Sequence, residues 1–249
     1  MISEAYAALT DGAQRKVTFY REDKLSYFIA SMLAGIFVGL CMIVILVMKG
    51  QLEDFVGIKI LQGVSFAAAL SLIIFAGAEL FTGNVFSMTA GVMRKRVSFS
   101  NALGLWTWCY LGNFVGSILV AVCFVGTGYL SGSVLDAADE AIRLKTDPVF
   151  SELVIRGLFC NFLVCAGVWC VYRMKSEGAK LIMIFWCIYL FVVCGFEHSI
   201  ANMTLFSMGV MSGYGAMAMV GNLVATTIGN IFGGVILALA YWAIAKNNV

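Results

Sequence analysis

The sequence predicts an all-α membrane protein: six transmembrane helices forming two inverted three-helix repeats, with helices 2 and 5 broken. Three observations lead there: an apolar composition, six runs long enough to reach across a bilayer, and a motif that recurs in each half. Of 249 residues, 61% are hydrophobic and 12% charged, and the mean hydropathy is +0.95. A soluble domain of this length needs a more polar surface. Segments this apolar are expected to be helical, because hydrocarbon offers backbone groups no water to bond.

The apolar runs are Tyr27–Met48, Ile58–Phe81, Asn101–Gly126, Phe150–Tyr172, Leu181–Cys194 and Met217–Ala245. Crossing about 30 Å of hydrocarbon takes roughly 20 helical residues. The fifth run is short; it stops at Gly195 and resumes toward Leu205. The second ends in the interrupted stretch "GAELFTGN", Gly77–Asn84. Basic residues set the orientation. Arg15, Lys16, Arg21 and Lys24 precede the first run, Arg94–Arg96 follow the second, Arg173, Lys175 and Lys180 follow the fourth, and Lys246 follows the sixth. The opposite side holds Lys49, Lys59, Arg143, Lys145 and Arg156, among many acids. Both termini are therefore expected to be cytoplasmic, in a multi-pass protein of the cell membrane. Residues Met1–Lys24 are polar and show no signal-peptide pattern.

"GAELFTGN" and "GFEHSIAN" share G-x-E-x-x-x-x-N, which matches Gly77 to Gly195, Glu79 to Glu197 and Asn84 to Asn202 at an offset of 118. "GNFVG" at Gly112 and "GNIFG" at Gly229 match at an offset of 117. Two patterns at nearly one offset point to a duplication. The chain then reads as a single transport domain, residues 1–249, with repeats of roughly 25–127 and 145–246. Three spans per half invert the second half, and such repeats place a transport site at broken helices near the midplane. The G-x-x-x-G pairs read as close-packing helix faces.

Each break exposes N–H groups at the start of the next half-helix, where anions are favoured. Thr82 offers a hydroxyl at one break; His198, the sole histidine, offers an imidazole at the other, with Ser199 beside it. His198 reads either as a core histidine locking two helices or as a substrate contact, and its membrane depth favours the second. Thr82 either bonds its own backbone or faces the substrate. Glu79 and Glu197, at mirrored positions, read as structural, accepting N–H bonds from the opposite broken segment. Asn161, mid-way along span four, stands where it can orient the imidazole. Lys145, ahead of span four, can concentrate anions at a pore mouth.

Other classes fit poorly. The eight cysteines sit in apolar runs without metal-ligand spacing and read as small buried hydrophobes; no metal or other cofactor is expected. One proline, Pro148, excludes paired N-P-A signatures, and one histidine excludes a two-histidine ammonia pore. There is no Walker motif, no basic tract for nucleic acid, and no nucleophile motif around Ser117, so no enzyme is expected. A channel for neutral solutes, water or glycerol, stays as the rival to anion transport.

"GAELFTGN", "LFCNFLVCAGVW" (Leu158–Trp169) and "GFEHSIANM" strongly resemble the formate/nitrite transporter family, and the resemblance runs from Lys24 to Ala245. It implies an aquaporin-like fold and a homopentamer with one pore per protomer. It also implies passage of small monovalent anions or their conjugate acids, such as formate, nitrite, hydrosulfide or lactate; because desolvating a bare anion costs far more than desolvating the neutral acid, protonation is expected to be linked to permeation. Matched by motif, the functional threonine is Thr82, the central histidine His198, its asparagine partner Asn161 and the vestibule lysine Lys145. Constriction residues fall on Phe66, Leu70, Leu80, Phe81, Val164 and Phe191.

Overall fold

The computed structural model describes residues 2–246, and these form eleven helices with no strand among them. Met1, residues 247–249 and the side chain of Lys246, the last of the expected cytoplasmic cations, lie outside the described residues.

The long apolar helices follow the hydropathy. They are α2 (Lys24–Gln51), α6 (Phe99–Gly126), α8 (Phe150–Arg173) and α11 (Ala216–Lys246). The second run is subdivided into α3 (Ile58–Phe66), α4 (Ala68–Phe75) and, after a gap, α5 (Phe81–Met93). The fifth is α9 (Glu177–Val193), followed after a gap by α10 (Ser199–Met211). Among the described residues, α2, the stretch Ile58–Phe75, α6, α8 and α11 are each long and apolar enough to cross a membrane. At 17 residues, α9 reaches about 26 Å, at 1.5 Å per residue.

Three features depart from the hydropathy reading. Helix α1 (Ile2–Glu22) and helix α7 (Ser133–Thr146) were not expected. Both are amphipathic: α1 buries Tyr6, Leu9, Ala13 and Val17, and α7 buries Val134, Ala138 and Ile142. An i, i+3/i+4 stripe on a polar helix is invisible to a hydropathy window. The third is the interruption at Ala67, where the Ser71 hydroxyl donates to the Ala67 carbonyl at 3.3 Å and so competes with the backbone ladder. The cysteines also divide. Cys123 and Cys194 are exposed rather than buried, as apolar residues can be on a face turned to lipid.

Helices α2 and α6 pack closely, as do α8 and α11. A Cβ built on Gly116 would stand 2.0 Å from the Met32 carbonyl oxygen, and one on Gly233 2.2 Å from that of Leu158. These helices therefore touch backbone to backbone, and only glycine fits.

The two gaps have the same construction. Gly77 (φ +76°) ends α4 and Gly195 (φ +69°) ends α9, both in the left-handed region. The Ala78 N–H donates to Ile73 O at 2.9 Å, and the Phe196 N–H to Phe191 O at 3.0 Å. This is the Schellman closure that glycine permits. The chain then extends to Leu80 and His198, which cap α5 and α10. Along the way the Glu79 N–H donates to Ala30 O and the Glu197 N–H to Arg156 O.

Candidate functional site

Two buried asparagines hold the half-helix starts. Asn113, on α6, accepts the Phe81 N–H at 2.9 Å and donates to the carbonyls of Ser31 (2.7 Å) and Glu79 (2.9 Å). Asn230, on α11, accepts the Ser199 N–H at 2.9 Å and donates to those of Gly157 (2.8 Å) and Glu197 (2.9 Å). Each satisfies an N–H that the helix start leaves orphaned. These are the asparagines of the two G-N-x-x-G stretches.

Each gap glutamate is paired with a lysine from an amphipathic helix. Lys16, on α1, reaches the Glu79 carboxylate at 2.6–2.8 Å, with Tyr27 Oη at 3.2 Å and Asn84 Nδ2 at 2.9 Å as further donors. Lys145, at the end of α7, reaches the Glu197 carboxylate at 2.9–3.0 Å, and Asn202 Nδ2 donates to it at 2.6 Å. The carboxylates thus bond side chains, not the N–H groups of the opposite segment as expected; Asn113 and Asn230 already occupy the N–H groups of Phe81 and Ser199.

The two gaps meet at His198. Its Nδ1 accepts the Ala201 N–H at 3.3 Å, capping α10. An acceptor Nδ1 assigns the proton of the neutral ring to Nε2, which lies 3.1 Å from Thr82 Oγ1. Nε2–H donates, and the hydroxyl accepts. Thr82, Asn161 and His198 are all buried. Asn161 does not reach the imidazole. Its Nδ2 donates to the carbonyls of Thr82 (3.1 Å) and Asn230 (2.6 Å), because Ala201 has taken the other ring nitrogen.

Two cavities lie along the gaps, and the smaller reaches His198. The larger, about 230 Å³, is lined by Lys16, Glu79, Asn84, Ser87 and Tyr172 among others. The smaller, about 10 Å³, is lined by His198 with Phe66, Leu70, Leu80, Val164 and Phe191, and completed by Val38, Ala69, Ile73 and Ile188. That is the lower limit for one water. Leu70, Ile73 and Leu80 border both cavities and partition them. Phe66 meets Phe191 edge to face (5.9 Å, 85°), and Phe191 stacks on His198 (6.0 Å, 19°). Five of the six constriction candidates thus converge on the small cavity. Phe81 does not: its ring packs against Tyr110 at 5.0 Å.

Residues 3–243 match the family model described as formate/nitrite transporter. The chain belongs to the formate/nitrite transporter family. It is 34% identical over 251 residues to the nitrite transporter NirC of Salmonella typhimurium, covering 97% of this chain and 91% of that one. Its fold matches a solved FNT family ion channel with a TM-score of 0.90 at 32% identity, covering 96% of this chain and 98% of the other. A pentameric formate channel solved with formate bound matches at 0.75 and 28% identity, covering 89% and 97%. The chain is thus an integral membrane protein of a transporter family, not of an enzyme family.

Lys16, Tyr27, Asn113 and Asn230 escaped the sequence reading. The asparagines had a signal, the invariant Asn of two matched glycine motifs. Lys16 had none, because it was one N-terminal cation among several.

Proposed function

We propose that the chain is one transport domain through which small monovalent anions, formate or nitrite above all and hydrosulfide as competitor, cross with a proton. The observation that carries this is the His198–Thr82 hydrogen bond of 3.1 Å, joining two half-helix starts beside a small, mostly apolar cavity. In this reading the helices form two inverted three-helix repeats of an aquaporin-like fold, with the second and fifth spans broken at the gaps. Both termini face the cytoplasm, in the cell membrane. Five protomers assemble, each with its own pore, as in the pentameric formate channel this chain resembles.

The chemistry follows from solvation. A bare anion cannot afford the apolar stretch between Leu70, Leu80, Phe66 and Phe191, whereas its conjugate acid loses far less on leaving water. Lys16 and Lys145 stand at the two mouths, each held by a gap carboxylate, so the pairs carry little net charge and the anion is drawn instead by the positive ends of the half-helices. The anion takes up a proton there and crosses as the neutral acid. At the centre the Thr82 hydroxyl, which accepts from Nε2, still has its own O–H to donate, and His198 with Thr82 orients the permeating acid. Asn161 holds the Thr82 backbone in register.

Purified protein in liposomes, assayed in turn with formate, nitrite and hydrosulfide across a pH series, tests the reading. Flux of at least one, rising as the medium is acidified, is expected. Glycerol-driven swelling without flux of any anion would establish the neutral-solute channel instead.

A further inference from the structure

The small cavity beside His198 has walls of two kinds. Phe66 and Phe191 are aromatic rings that turn about their own side-chain torsions, so their closure at 5.9 Å sets whether the path is open. They do not set how wide it becomes. Val38 is different. It lines the same cavity and is 1% exposed. A valine on a helix is held to essentially one rotamer, so its methyl groups move only if α2 moves.

Helix α2 is pinned on both sides of that position. A Cβ on Gly35 would lie 2.1 Å from the Asn113 carbonyl oxygen, so α2 touches α6 through backbone. A Cβ on Gly39 would lie 2.8 Å from Thr204 Oγ1 and 3.0 Å from Val120 Cγ1, so α2 is also seated against α10 and α6. Asn113 is itself tied to α2 through the Ser31 carbonyl at 2.7 Å and to the first gap through Phe81 and Glu79. Retreat of α2 is not available without dismantling the hydrogen bonds that hold α5 in place.

We propose that Val38 is a fixed size-determining residue of the pathway, limiting the largest monocarboxylate that passes once the phenylalanines have swung aside. This rests on the proposed reading of the chain as an anion and acid transporter. One methylene more or less in an apolar site discriminates by about 10–200-fold, and Val38→Ala removes two carbons from a wall that cannot close in behind them.

The test is tracer uptake of formate, acetate and lactate, together with hydrosulfide, into proteoliposomes of wild type, Val38→Ala and Val38→Ile. The ratio between anions is taken within each preparation, so that differences in the amount of folded protein cancel. Val38→Ala is expected to raise the acetate-to-formate ratio by about tenfold or more. Val38→Ile is expected to cut formate relative to hydrosulfide by a similar factor, and it serves alone if the alanine variant fails to fold. Wild-type ratios in the variants, with wild-type flux present, overturn the role of Val38 and leave the transport reading standing. A wild type that passes none of these anions overturns the transport reading and the proposal with it.

Discussion

Replacing Asn230 by alanine tests how the second gap is held. The change removes three hydrogen bonds at once, those to the Ser199 N–H and to the carbonyls of Gly157 and Glu197, all at 2.8–2.9 Å. The site is fully buried, so water does not replace them. A buried polar group left unpaired costs about 1–3 kcal/mol. The N–H has no second partner and belongs at the high end; a carbonyl keeps a second lone pair and belongs at the low end. The sum is about 3–6 kcal/mol. For a chain of this size each kcal/mol moves the thermal midpoint by about 2–4 °C, giving a fall of about 6–24 °C. The assay is thermal unfolding of the detergent-purified protein, followed by the fluorescence of its five tryptophans. Asn113→Ala removes the matching three bonds at 2.7–2.9 Å and is expected to cost the same. The two should differ in transport. Asn230 anchors the residue next to His198, and its carbonyl receives the Asn161 amide; Asn113 anchors Phe81, which faces Tyr110. Midpoints within about 2 °C of wild type for both variants would refute the reasoning.

Lys145→Met leaves the Glu197 carboxylate, 5% exposed, with Asn202 as its remaining donor; a loss of about 3–5 kcal/mol is expected in the same melt. Adding Glu197→Gln should recover much of it, and a double variant no better than the single would sink the pair as described. His198→Asn keeps an acceptor for the Ala201 N–H but cannot titrate, whereas His198→Phe keeps neither. Liposome flux against pH is expected to change in slope for the first and to fall severely for the second, and unchanged flux, selectivity and pH response in both would remove His198 from the pathway. Gly77→Ala and Gly195→Ala introduce a Cβ into open space, so their cost is purely that of a left-handed backbone, about 1–2 kcal/mol each. A larger loss at either site would mean that the gap tolerates no Cβ for reasons of packing, against the open space around both glycines.

How much was legible follows from how local each signal is. The apolar runs, the gap glycines and the matched glutamates lie within short windows, and Gly77 and Gly195 each follow a helix end. Constriction residues carried by motif mostly converge, but Phe81 shows where that fails: as the first residue of α5 it turns with the helix, toward Tyr110 and away from the cavity. Long-range pairing was not legible. Lys16 and Glu79 are 63 residues apart, and nothing in a run of N-terminal cations marks the one that reaches inward. The amphipathic helix that delivers it is polar overall, so hydropathy passes over it. Asn161 was expected on the imidazole because a free ring nitrogen needs a partner; the backbone N–H of Ala201 supplied one locally.

The two halves support their gaps alike and differ at a few buried polar positions. The carbonyls of Ser31 and Gly157 receive the two asparagine amides, which aligns α2 with α8 at an offset of 126 and places Gly35 opposite Asn161. At Gly35 the backbone comes so close to the Asn113 carbonyl that a Cβ would lie 2.1 Å from it. At Asn161 a side chain occupies the matched space and donates to the Asn230 carbonyl at 2.6 Å. The motif offset of 118 sets Leu80 opposite His198 and Ile200 opposite Thr82. Three polar residues without polar counterparts therefore form one connected chain, Asn161 to the Thr82 carbonyl and the Thr82 hydroxyl to His198, each link 3.1 Å. Matched positions such as Asn113 and Asn230 should answer mutation with equal losses of stability. The unmatched three should answer with changes in flux, because the scaffold on the other side stands without them.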